Sequence, residues 1–225
     1  MLQHLAIIMD GNRRWAKKRF LPSIAWHKAW AENVKTIAQL AYDTWIKYLT
    51  LWALSTENLE KREQKEVDGI IKLINNIESY LDEMIQTGLK LETIGDLTKL
   101  PQDSQEILHK VKLRTQNNSW LVLTIALIYG WQDEILRATK QILRDGKNPE
   151  TLTNQEFRSY LDSHFLPVPD VIVRTGWDIR HSGFLLYDSA YSEYYFTDKP
   201  WPEYDEAELA KTIDFFENSK RNFGK

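Results

Sequence analysis

Cysteine is absent from the 225 residues, which excludes disulfide bonds, thiolate catalysis and zinc sites built on cysteine. Long hydrophobic runs are lacking too, since the longest, from Trp120 to Trp131, is well short of the ~20 apolar residues that a membrane-spanning helix needs. Neither charge dominates, because 29 basic and 32 acidic residues give a formal net charge of −3. We therefore expect a soluble chain with no general attraction to nucleic acid, in which an anion binds only at a local site.

The composition is that of a folded globular protein. Hydrophobic residues make up 43% and charged residues 27%, so the chain has enough apolar material for a sizeable core. Its length predicts a single domain over residues 1–225. The first apolar run, from Leu5 to Met9, is too short for the core of a signal peptide. Together with the missing cysteine, this favours a cytoplasmic location.

Short apolar runs alternate with stretches of helical periodicity. The runs, which predict about six strands, are His4–Met9, Tyr48–Leu54, Leu89–Ile94, Leu121–Tyr129, Val168–Val173 and a weaker Tyr194–Phe196. Helices are predicted between and after them over 29–42, 67–85, 104–115, 133–143, 154–164 and 205–216. Continuous apolar strands alternating with helices are typical of an α/β domain, whose mostly parallel central sheet is flanked by helices.

Polar side chains follow the predicted strands at the points where they end. In an open parallel sheet, ligands bind beyond the carboxyl ends of the strands. The segments at those ends are 10–14, 55–58, 95–96, 129–130 and 174–176, and they carry carboxylates, amides, hydroxyls and arginines. Polar turns alone would explain any one of them, but all five together predict one shared functional rim.

Asp10, Gly11, Asn12, Arg13 and Arg14 lie where the first strand hands over to a helix. A helix start offers free N–H groups, Gly11 allows close backbone approach, and the arginines add positive charge, so the segment favours a phosphate group. Neither the G-x-x-x-x-G-K-[ST] nor the G-x-G-x-x-G pattern is present. The Asp10 carboxylate has two interpretations: a salt bridge to an arginine, or a ligand for Mg²⁺.

A second cluster of cationic and hydroxyl side chains follows the fifth strand. Arg174, Arg180 and Ser182 are suited to a second polyanion, because guanidinium groups match phosphate oxygens with paired hydrogen bonds. Plain solvation of a surface turn is the alternative. His27 is a candidate third donor and Glu193 a candidate second carboxylate for the metal. Two anion sites, Mg²⁺ and an apolar amphipathic helix over 67–85 suggest a substrate pair with two diphosphates and apolar tails.

Seven motifs, in one order over nearly the whole chain, resemble the cis-prenyltransferases, the family of the bacterial undecaprenyl diphosphate synthases. The motifs are HLAIIMDGNRRWAK at 4–17, LTLWALSTEN at 49–58, IGD at 94–96, VIVRTG at 171–176, FLL at 184–186, SAYSE at 189–193 and YFTD at 195–198. The resemblance implies an undecaprenyl diphosphate synthase-like fold with a hydrophobic tunnel.

The resemblance also implies a Mg²⁺-dependent enzyme that condenses isopentenyl diphosphate with an allylic diphosphate, usually farnesyl diphosphate. The implied product is a long cis-polyprenyl diphosphate such as undecaprenyl diphosphate, the precursor of the lipid carrier for cell-wall glycan synthesis. Two alternatives stay open: a short-chain or irregular prenyl condensation, and a non-catalytic partner subunit. A homodimer is implied as well, together with a peripheral contact to the inner face of the membrane through which the lipid product leaves.

By resemblance, Asp10 holds Mg²⁺ together with Glu193, the latter from the same chain or across a homodimer interface, and Asp10 and Asn58 are the catalytic pair. Substrate binding is implied for the remaining matched positions: Gly11, Asn12, Arg13, Arg14, Trp15, His27, Ser55, Thr56, Glu57, Lys61, Arg174, Arg180, His181 and Ser182. Four positions depart from the family pattern, and one of them is Gly183, which stands between Ser182 and Phe184 where the family has asparagine. Ser23 replaces an arginine, Leu59 replaces a tryptophan, and the arginine that follows aligns loosely with Lys61 or Arg62.

Tryptophan is overrepresented and glycine is scarce, with nine of each in 225 residues, whereas glycine usually makes up about 7%. Six tryptophans stand where members of the family usually have glycine: Trp26, Trp30, Trp45, Trp120, Trp131 and Trp177. An indole cannot replace glycine where φ is positive or where backbone approaches a ligand. We hypothesise that the gene comes from a lineage that reads UGA as glycine. Real divergence, toward a different substrate, is the alternative.

Overall fold

A computed structural model of the protein describes residues 1–22 and 25–220. Ser23, which departs from the family pattern, lies outside the described residues. The core of the fold is a six-stranded sheet in the order β3-β4-β2-β1-β5-β6. All five neighbouring pairs of strands are parallel. The strands are β1 His4–Ile8, β2 Tyr48–Ser55, β3 Leu89–Ile94, β4 Leu121–Tyr129, β5 Val171–Arg174 and β6 Glu193–Phe196.

This sheet confirms the six predicted strands, with only small shifts at their ends. Among the described residues the α-helices are α1 Asn12–Lys18, α2 Ala25–Asp43, α3 Thr56–Lys61, α4 Gln64–Asn75, α5 Leu81–Thr87, α6 Gln102–Thr115, α7 Trp131–Arg144, α8 Asn154–Arg158 and α9 Glu206–Asn218. No helix within the described ranges has the length and apolar character to cross a bilayer.

The two faces of the sheet bury different residues, as the alternation of side chains along a strand requires. In β1, Leu5 and Ile7 pack into a large core with helices α2, α4 and α6. Ala6 and Ile8 face the other way, into a smaller core with Phe184. All five residues of β1 are buried, which explains why the central strand is a continuous apolar run.

Two predicted helices are broken in the structure. The helical pattern over 67–85 is divided into α4 and α5 by a 3-10 segment at Asn76–Tyr80. Asparagine competes with the helical backbone for hydrogen bonds, and two occur together at this break. The pattern over 154–164 is likewise shorter, because α8 ends at Arg158 and a 3-10 segment at Asp162–Phe165 follows. Apolar periodicity therefore predicted the buried face correctly, but not the continuity of the backbone.

The strand order reverses direction at β1. From β1 the chain proceeds to β2 on one side, and later returns to place β5 on the other side. A crevice therefore opens beyond the carboxyl ends of β1 and β5, at the position where open α/β sheets bind ligands. Asp10 follows β1 and Arg174 ends β5, so both stand at this switch point.

The turn that closes helix α2 places Trp45, two residues after the end of the helix, in a conformation that normally belongs to glycine. Trp45 has φ +62°, and its N–H donates to the Tyr42 carbonyl over 3.1 Å. The next N–H, from Ile46, donates to the Ala41 carbonyl over 2.9 Å. These two bonds define a Schellman motif, in which the left-handed position is usually glycine. The Trp45 side chain is 67% exposed, so burial does little to offset this backbone strain.

Candidate active site

A polar cleft of about 580 Å³ opens beyond the carboxyl ends of β1, β2 and β5. Eleven of the site residues predicted from the sequence line it: Asp10, Gly11, Asn12, Arg13, Arg14, Ser55, Glu57, Asn58, Arg174, Arg180 and Ser182. Residues from three separate strand ends therefore meet in one place. The cleft is large, open and rich in cationic side chains, which suits an anionic substrate.

The Asp10 carboxylate lies at the centre of this cleft. One oxygen, Oδ1, accepts the N–H of Gly11 over 2.7 Å, and the other, Oδ2, accepts from Nη2 of Arg174 over 2.8 Å. The backbone of Asp10 is fixed by Thr175, whose hydroxyl accepts the Asp10 N–H over 2.8 Å. The side chain remains 35% exposed. Asp10 is thus held rigidly and still accessible from the cleft.

Arg174 is buried, and its guanidinium joins several parts of the site. Nη1 donates to the Arg180 carbonyl and to the Ser182 hydroxyl, each over 2.7 Å, while Nη2 reaches Asp10. Its Nε lies buried and has no hydrogen-bond partner within the described residues. Because a planar guanidinium holds its donors in a fixed fork, Arg174 sets the positions of both predicted clusters relative to each other.

Asp178 is a site residue that the sequence analysis missed. Its carboxylate accepts from Arg14 over 2.7 Å and from Arg180 over 2.8 Å, and so bridges the two predicted anion sites. Partial burial would raise the pKa of Asp178, but the hydrogen bonds from Arg14 and Arg180 outweigh it and hold this pKa below its usual value. Asp178 lies between Arg174 and Arg180 in the sequence, and this position could have indicated its role in the site.

The segment after β2 presents its polar groups to the cleft from a helix start. The Ser55 hydroxyl accepts the Asn58 N–H over 3.0 Å and caps α3. Partial burial opposes ionisation of Glu57, yet hydrogen bonds from its own backbone N–H, Ser55 and Thr56 lower its pKa. This capping fixes the position of Asn58 beside the cleft.

Arg62, and not Lys61, is the basic residue that lines the cleft. Lys61 is exposed and is not among the residues that line the cleft, so its predicted role in substrate binding stays a prediction. Arg62 caps the end of α3 with an extended backbone, and its N–H donates to the Asn58 carbonyl over 3.0 Å. Burial and the nearby charge of Arg13 lower the pKa of Arg62. Its Nε is buried without a partner within the described residues, and it faces a cleft suited to anions.

Four other predicted binding residues lie outside the lining of the cleft. Trp15 stacks under Arg19, with 4.7 Å from the guanidinium carbon to the ring centre. His27 is buried, and its ring occupies the space where a Cβ on Gly69 of α4 would stand. The Thr56 hydroxyl packs on the backbone of Gly130. The exposed His181 accepts the Gly183 N–H through Nδ1 over 2.8 Å.

Glu193 lies at the amino end of β6, whereas Asp10 follows the carboxyl end of β1, so the two residues lie at opposite ends of the parallel strands. Glu193 begins β6 and pairs with Val171, the first residue of β5, whereas Arg174 pairs with Phe196. The three residues between those registers correspond to roughly 10 Å of strand. The prediction that Asp10 and Glu193 of the same chain form a metal site is therefore wrong. Only the arrangement across a homodimer interface remains for this pair.

The fit of Mg²⁺ to the site rests on Asp10. Within residues 1–22 and 25–220, no group of three histidine or carboxylate side chains could hold a metal ion. Mg²⁺ does not need such a cage, since one or two carboxylates plus substrate phosphate oxygens commonly bind it. The buried Oδ1 of Asn12 has no partner among the described residues and adds an oxygen donor at the same strand end. The donor set fits Mg²⁺ bound together with a diphosphate.

An apolar cavity of about 140 Å³ lies next to the cleft. Its lining comes from helices α2, α4, α5 and α6 and from strands β3 and β4. The aliphatic residues include Val34, Ala38, Ile74, Met84 and Leu123. The helical pattern predicted over 67–85 therefore faces this cavity. An apolar space beside a cluster of arginines suits a molecule with an anionic head and a hydrocarbon tail.

The six unusual tryptophans occupy different environments. Trp177 has φ +66°, directly after Gly176 with φ +81°, and its ring lies 5.1 Å from the Arg14 guanidinium. Trp26 lines the cleft, and its buried indole N–H has no partner within the described chain. A Cβ on Gly183 would lie 1.8 Å from the indole of Trp131. Several of these indoles therefore stand where backbone conformation or space favours a smaller residue.

Comparison with known proteins gives the class of the protein. The family model described as putative undecaprenyl diphosphate synthase matches residues 8–224. An isoprenyl transferase of Clostridium perfringens is 39% identical over 100% of this chain and 90% of its own length. Another, of Staphylococcus saprophyticus, is 40% identical over 99% of this chain and 89% of its own.

Solved structures give the same assignment. A lavandulyl diphosphate synthase from Lavandula x intermedia, in complex with dimethylallyl diphosphate, superposes with a TM-score of 0.94 at 29% identity and covers 100% of this chain and 98% of its own. A probable undecaprenyl diphosphate synthase from Campylobacter jejuni gives a TM-score of 0.83 at 29% identity, covering 100% and 99%. The chain is a prenyltransferase. It belongs to the undecaprenyl diphosphate synthase family.

Proposed function

We propose that the enzyme condenses isopentenyl diphosphate with an allylic diphosphate, with farnesyl diphosphate as the expected primer. The contact between Asp10 and Arg174, at 2.8 Å, carries this proposal. This contact joins a carboxylate suited to Mg²⁺ to the cationic cluster that follows β5. Both lie in a single cleft beside an apolar cavity. Two anionic heads bound here would lie close enough for their organic parts to react.

The two clusters divide the substrates between them. Arg13, Arg14 and the backbone of Gly11 would hold the allylic diphosphate, with Arg62 as a further cation facing the same cleft. Arg180 and Ser182 would hold isopentenyl diphosphate, positioned by the Arg174 guanidinium. Asp178 bridges Arg14 and Arg180, so it would set the spacing between the two heads. Guanidinium groups and backbone N–H groups of this kind match phosphate oxygens in geometry and charge.

The reaction breaks one bond and forms another. The allylic C1–O bond cleaves and its electron pair leaves with the diphosphate, while the C4 alkene carbon of isopentenyl diphosphate bonds to C1. A proton then leaves C2 of the isopentenyl unit, which gives the new cis double bond. The arginines stabilise the negative charge that develops on the departing diphosphate. Ser55 and Asn58 lie at the cleft where that proton would be removed.

Mg²⁺ would be held by Asp10 together with diphosphate oxygens, and when bound it supplies positive charge that favours departure of the diphosphate. Asp10 would exchange its ion pair with Arg174 for this arrangement. Glu193 would contribute its carboxylate to the metal from a second copy of the chain, since in its own chain it lies at the amino end of β6, away from Asp10. We accordingly propose a homodimer, located in the cytoplasm with a peripheral contact to the inner face of the membrane.

The expected product is a long cis-polyprenyl diphosphate such as undecaprenyl diphosphate, the precursor of the lipid carrier for cell-wall glycan synthesis. A short-chain or irregular product is the second candidate. The superposition on a lavandulyl diphosphate synthase, with the higher of the two TM-scores, favours it. A non-catalytic partner subunit is disfavoured, because both predicted cationic clusters and Asp10 meet in one cleft.

One incubation separates these outcomes. The purified protein is mixed with Mg²⁺, farnesyl diphosphate and radiolabelled isopentenyl diphosphate, and the extracted lipid is sized by chromatography. A long product supports the synthase, and a short product supports the second candidate. No incorporation by a folded protein would contradict an autonomous enzyme.

A further inference from the structure

Helix α1 ends in a turn that places an aromatic side chain on the surface. The Phe20 N–H donates to the Lys17 carbonyl over 3.1 Å, and the Leu21 N–H donates to the Ala16 carbonyl over 3.0 Å. These two bonds form a Schellman motif, whose left-handed position is usually glycine. Phe20 occupies that position with φ +57°. The backbone conformation therefore disfavours phenylalanine at this point of the chain.

Packing within the described residues does not offset this strain. Ile128 and Leu185 also have positive φ, but both side chains are buried, so their packing compensates for the backbone conformation. Phe20, in contrast, is 97% exposed. It is not one of the six unusual tryptophans, so the hypothesis of recoded glycines does not change it. A contact outside the chain would account for a large apolar side chain in such a place.

The segment around Phe20 is strongly basic, although the whole chain has a net charge of −3. Residues 11–31 contain six basic residues and no acidic residue. Lys17 and Lys18, in the last turn of α1, are exposed, and neither forms an ion pair with another residue of the described chain. Two free cations therefore precede the exposed ring.

A third lysine approaches from the loop after β6. Lys199 lines a small surface pocket together with Lys18 and Arg19. Two carboxylates, Asp198 and Glu203, line the same pocket, and Glu203 forms an ion pair with Arg19 over 2.6 Å. Arg19 is thus neutralised, and the positive charge of this surface comes mainly from the lysines.

We propose that the surface made of Lys17, Lys18, Phe20 and Leu21 binds the face of a membrane that carries anionic lipids. Leu21 is 41% exposed, so two apolar side chains lie beside two cations. Aromatic rings sit at the level of the lipid headgroups, and lysines are attracted to the negative surface of the bilayer. An anionic membrane matches both features at once, whereas a soluble polyanion offers nothing to the exposed ring.

This surface gives a location to the peripheral membrane contact of the proposed function, and its role in product release rests on that function. Helix α1 begins at Asn12, which lines the polar cleft, and its seven residues span about 10 Å. The membrane would therefore lie close to the cleft. A prenyl diphosphate with a long apolar tail would pass from the enzyme into the bilayer without crossing bulk water.

The test is cosedimentation of the full chain with vesicles, without organic substrates. Vesicles of phosphatidylglycerol and phosphatidylcholine in equal parts are compared with pure phosphatidylcholine, and inorganic pyrophosphate is present to fill the anion sites of the cleft. We expect wild type to prefer the anionic vesicles and Phe20→Gly to bind them about tenfold more weakly. Lys17→Gln combined with Lys18→Gln should weaken binding by about tenfold or more. Equal binding of wild type to both kinds of vesicle, or no loss in these variants, would overturn the inference.

The Phe20→Gly variant is a sharp test because glycine fits the left-handed position. It should resist urea at least as well as wild type, so weaker binding would not come from misfolding. Phe20→Trp keeps an aromatic ring and should keep the binding. Leu143→Ala is the matched control, since Leu143 is 72% exposed and is followed by Arg144 on α7. A loss in this control equal to that of Phe20→Gly would indicate general adhesion and count against the proposed surface.

Two further results separate this surface from other roles. If wild type binds double-stranded DNA as tightly as it binds vesicles, and Phe20→Gly leaves vesicle binding unchanged, the lysines serve a soluble polyanion and the inference fails. If the chain binds anionic vesicles through Phe20 but does not condense the two substrates, the proposed function fails while the membrane surface stands.

Discussion

Nη2 of Arg174 donates to the Asp10 carboxylate over 2.8 Å and thereby links the carboxyl end of the fifth strand to that of the first. These residues are 164 positions apart in the sequence. The buried guanidinium and the accessible carboxylate neutralise each other while no substrate is bound. A diphosphate with its metal would compete for both partners, so binding would exchange one set of ionic contacts for another.

Replacing the carboxylate tests its role directly. Asp10→Asn keeps the shape and one oxygen acceptor for Gly11 or Arg174, but it removes the charge. We expect the rate of condensation to fall by about 100-fold or more, on the order of the loss when one preorganised electrostatic group is removed from an active site. Initial rates with saturating Mg²⁺ measure the effect. Asp214→Asn, an exposed substitution on α9, is the control and should keep full activity; equal rates for both variants would refute the role of Asp10.

Trp45 offers a test of backbone strain. At φ +62° a side chain with a Cβ is disfavoured, so Trp45→Gly should raise the free energy of unfolding relative to Trp45→Ala by about 1 kcal/mol. Both substitutions remove the contact with Trp120, whose ring centre is 6.0 Å away, so their difference isolates the conformational cost. Urea unfolding at constant pH measures it. An Ala variant at least as stable as the Gly variant would contradict the assignment of strain.

The hypothesis of recoded glycines predicts the codons themselves. Sequencing the gene should find UGA, written TGA in the DNA, at positions 26, 30, 45, 120, 131 and 177. The three remaining tryptophans, Trp15, Trp52 and Trp201, should be encoded by TGG and serve as the internal control. TGG at the six positions would end the hypothesis. Peptide masses from protein isolated from its own organism give an independent answer.

If those six residues are glycine in the native protein, restoring them should also affect activity. Trp26 narrows the cleft, and Trp177 holds a left-handed turn beside Arg14. We expect the six-glycine version to exceed the chain with tryptophan at all six positions in activity by more than tenfold, measured as isopentenyl diphosphate incorporated per folded enzyme. Rates within tenfold of each other would contradict this, with circular dichroism checking that both proteins fold.

Two buried side chains, Glu134 and His4, should make the free energy of unfolding depend on pH in opposite directions. Burial raises the pKa of Glu134 to about 7, so the folded chain keeps a proton that the unfolded chain releases near its usual value, and stability is lost as the pH rises from 4.5 to 7. Burial lowers the pKa of His4 to about 4. The unfolded chain then binds a proton that the folded chain does not, and stability is lost as the pH falls from 6.5 to 4.

Glu134→Gln separates these effects. Its side-chain amide can donate to Tyr129, and its oxygen can still accept the Ser163 N–H, as the protonated carboxyl would. As the pH rises from 4.5 to 7, wild type should lose about 3 kcal/mol of unfolding free energy relative to this variant. Urea titrations at several pH values measure the difference. Parallel stability curves for the two proteins would show that Glu134 does not titrate in this range.

The sequence predicted the sheet and the two cationic clusters well, because both follow from short-range patterns. Continuous apolar runs marked the strands, and the rule of carboxyl ends brought Asp10 and Arg174 to one rim. The same rule would have corrected the predicted role of Glu193. The predicted strand began at Tyr194, so Glu193 precedes it and belongs at the amino ends of the strands, away from the functional rim. Its intrachain role was implied by the resemblance alone, and a motif match carries no information on strand direction.

The features that the sequence missed depend on side-chain directions. Lys61 and Arg62 are adjacent and both basic, and only the backbone conformation at the end of α3 decides that Arg62 lines the cleft. Asp178 is acidic among arginines, a pattern equally typical of a solvated turn, and its bridge appears only once Arg14 approaches from another strand end. The break between α4 and α5 likewise leaves the apolar period intact.

Helix α2 lines the polar cleft with Trp26 and the apolar cavity with Val34, Ala38 and Tyr42. Its 19 residues form one continuous helix, so both ends of a bound prenyl diphosphate would contact the same helix. Side chains one turn apart lie about 5.4 Å apart along it. Each of these positions would therefore correspond to a different depth along a bound prenyl tail. Enlarging Val34, Ala38 or Tyr42 in turn would limit the released product to a different length.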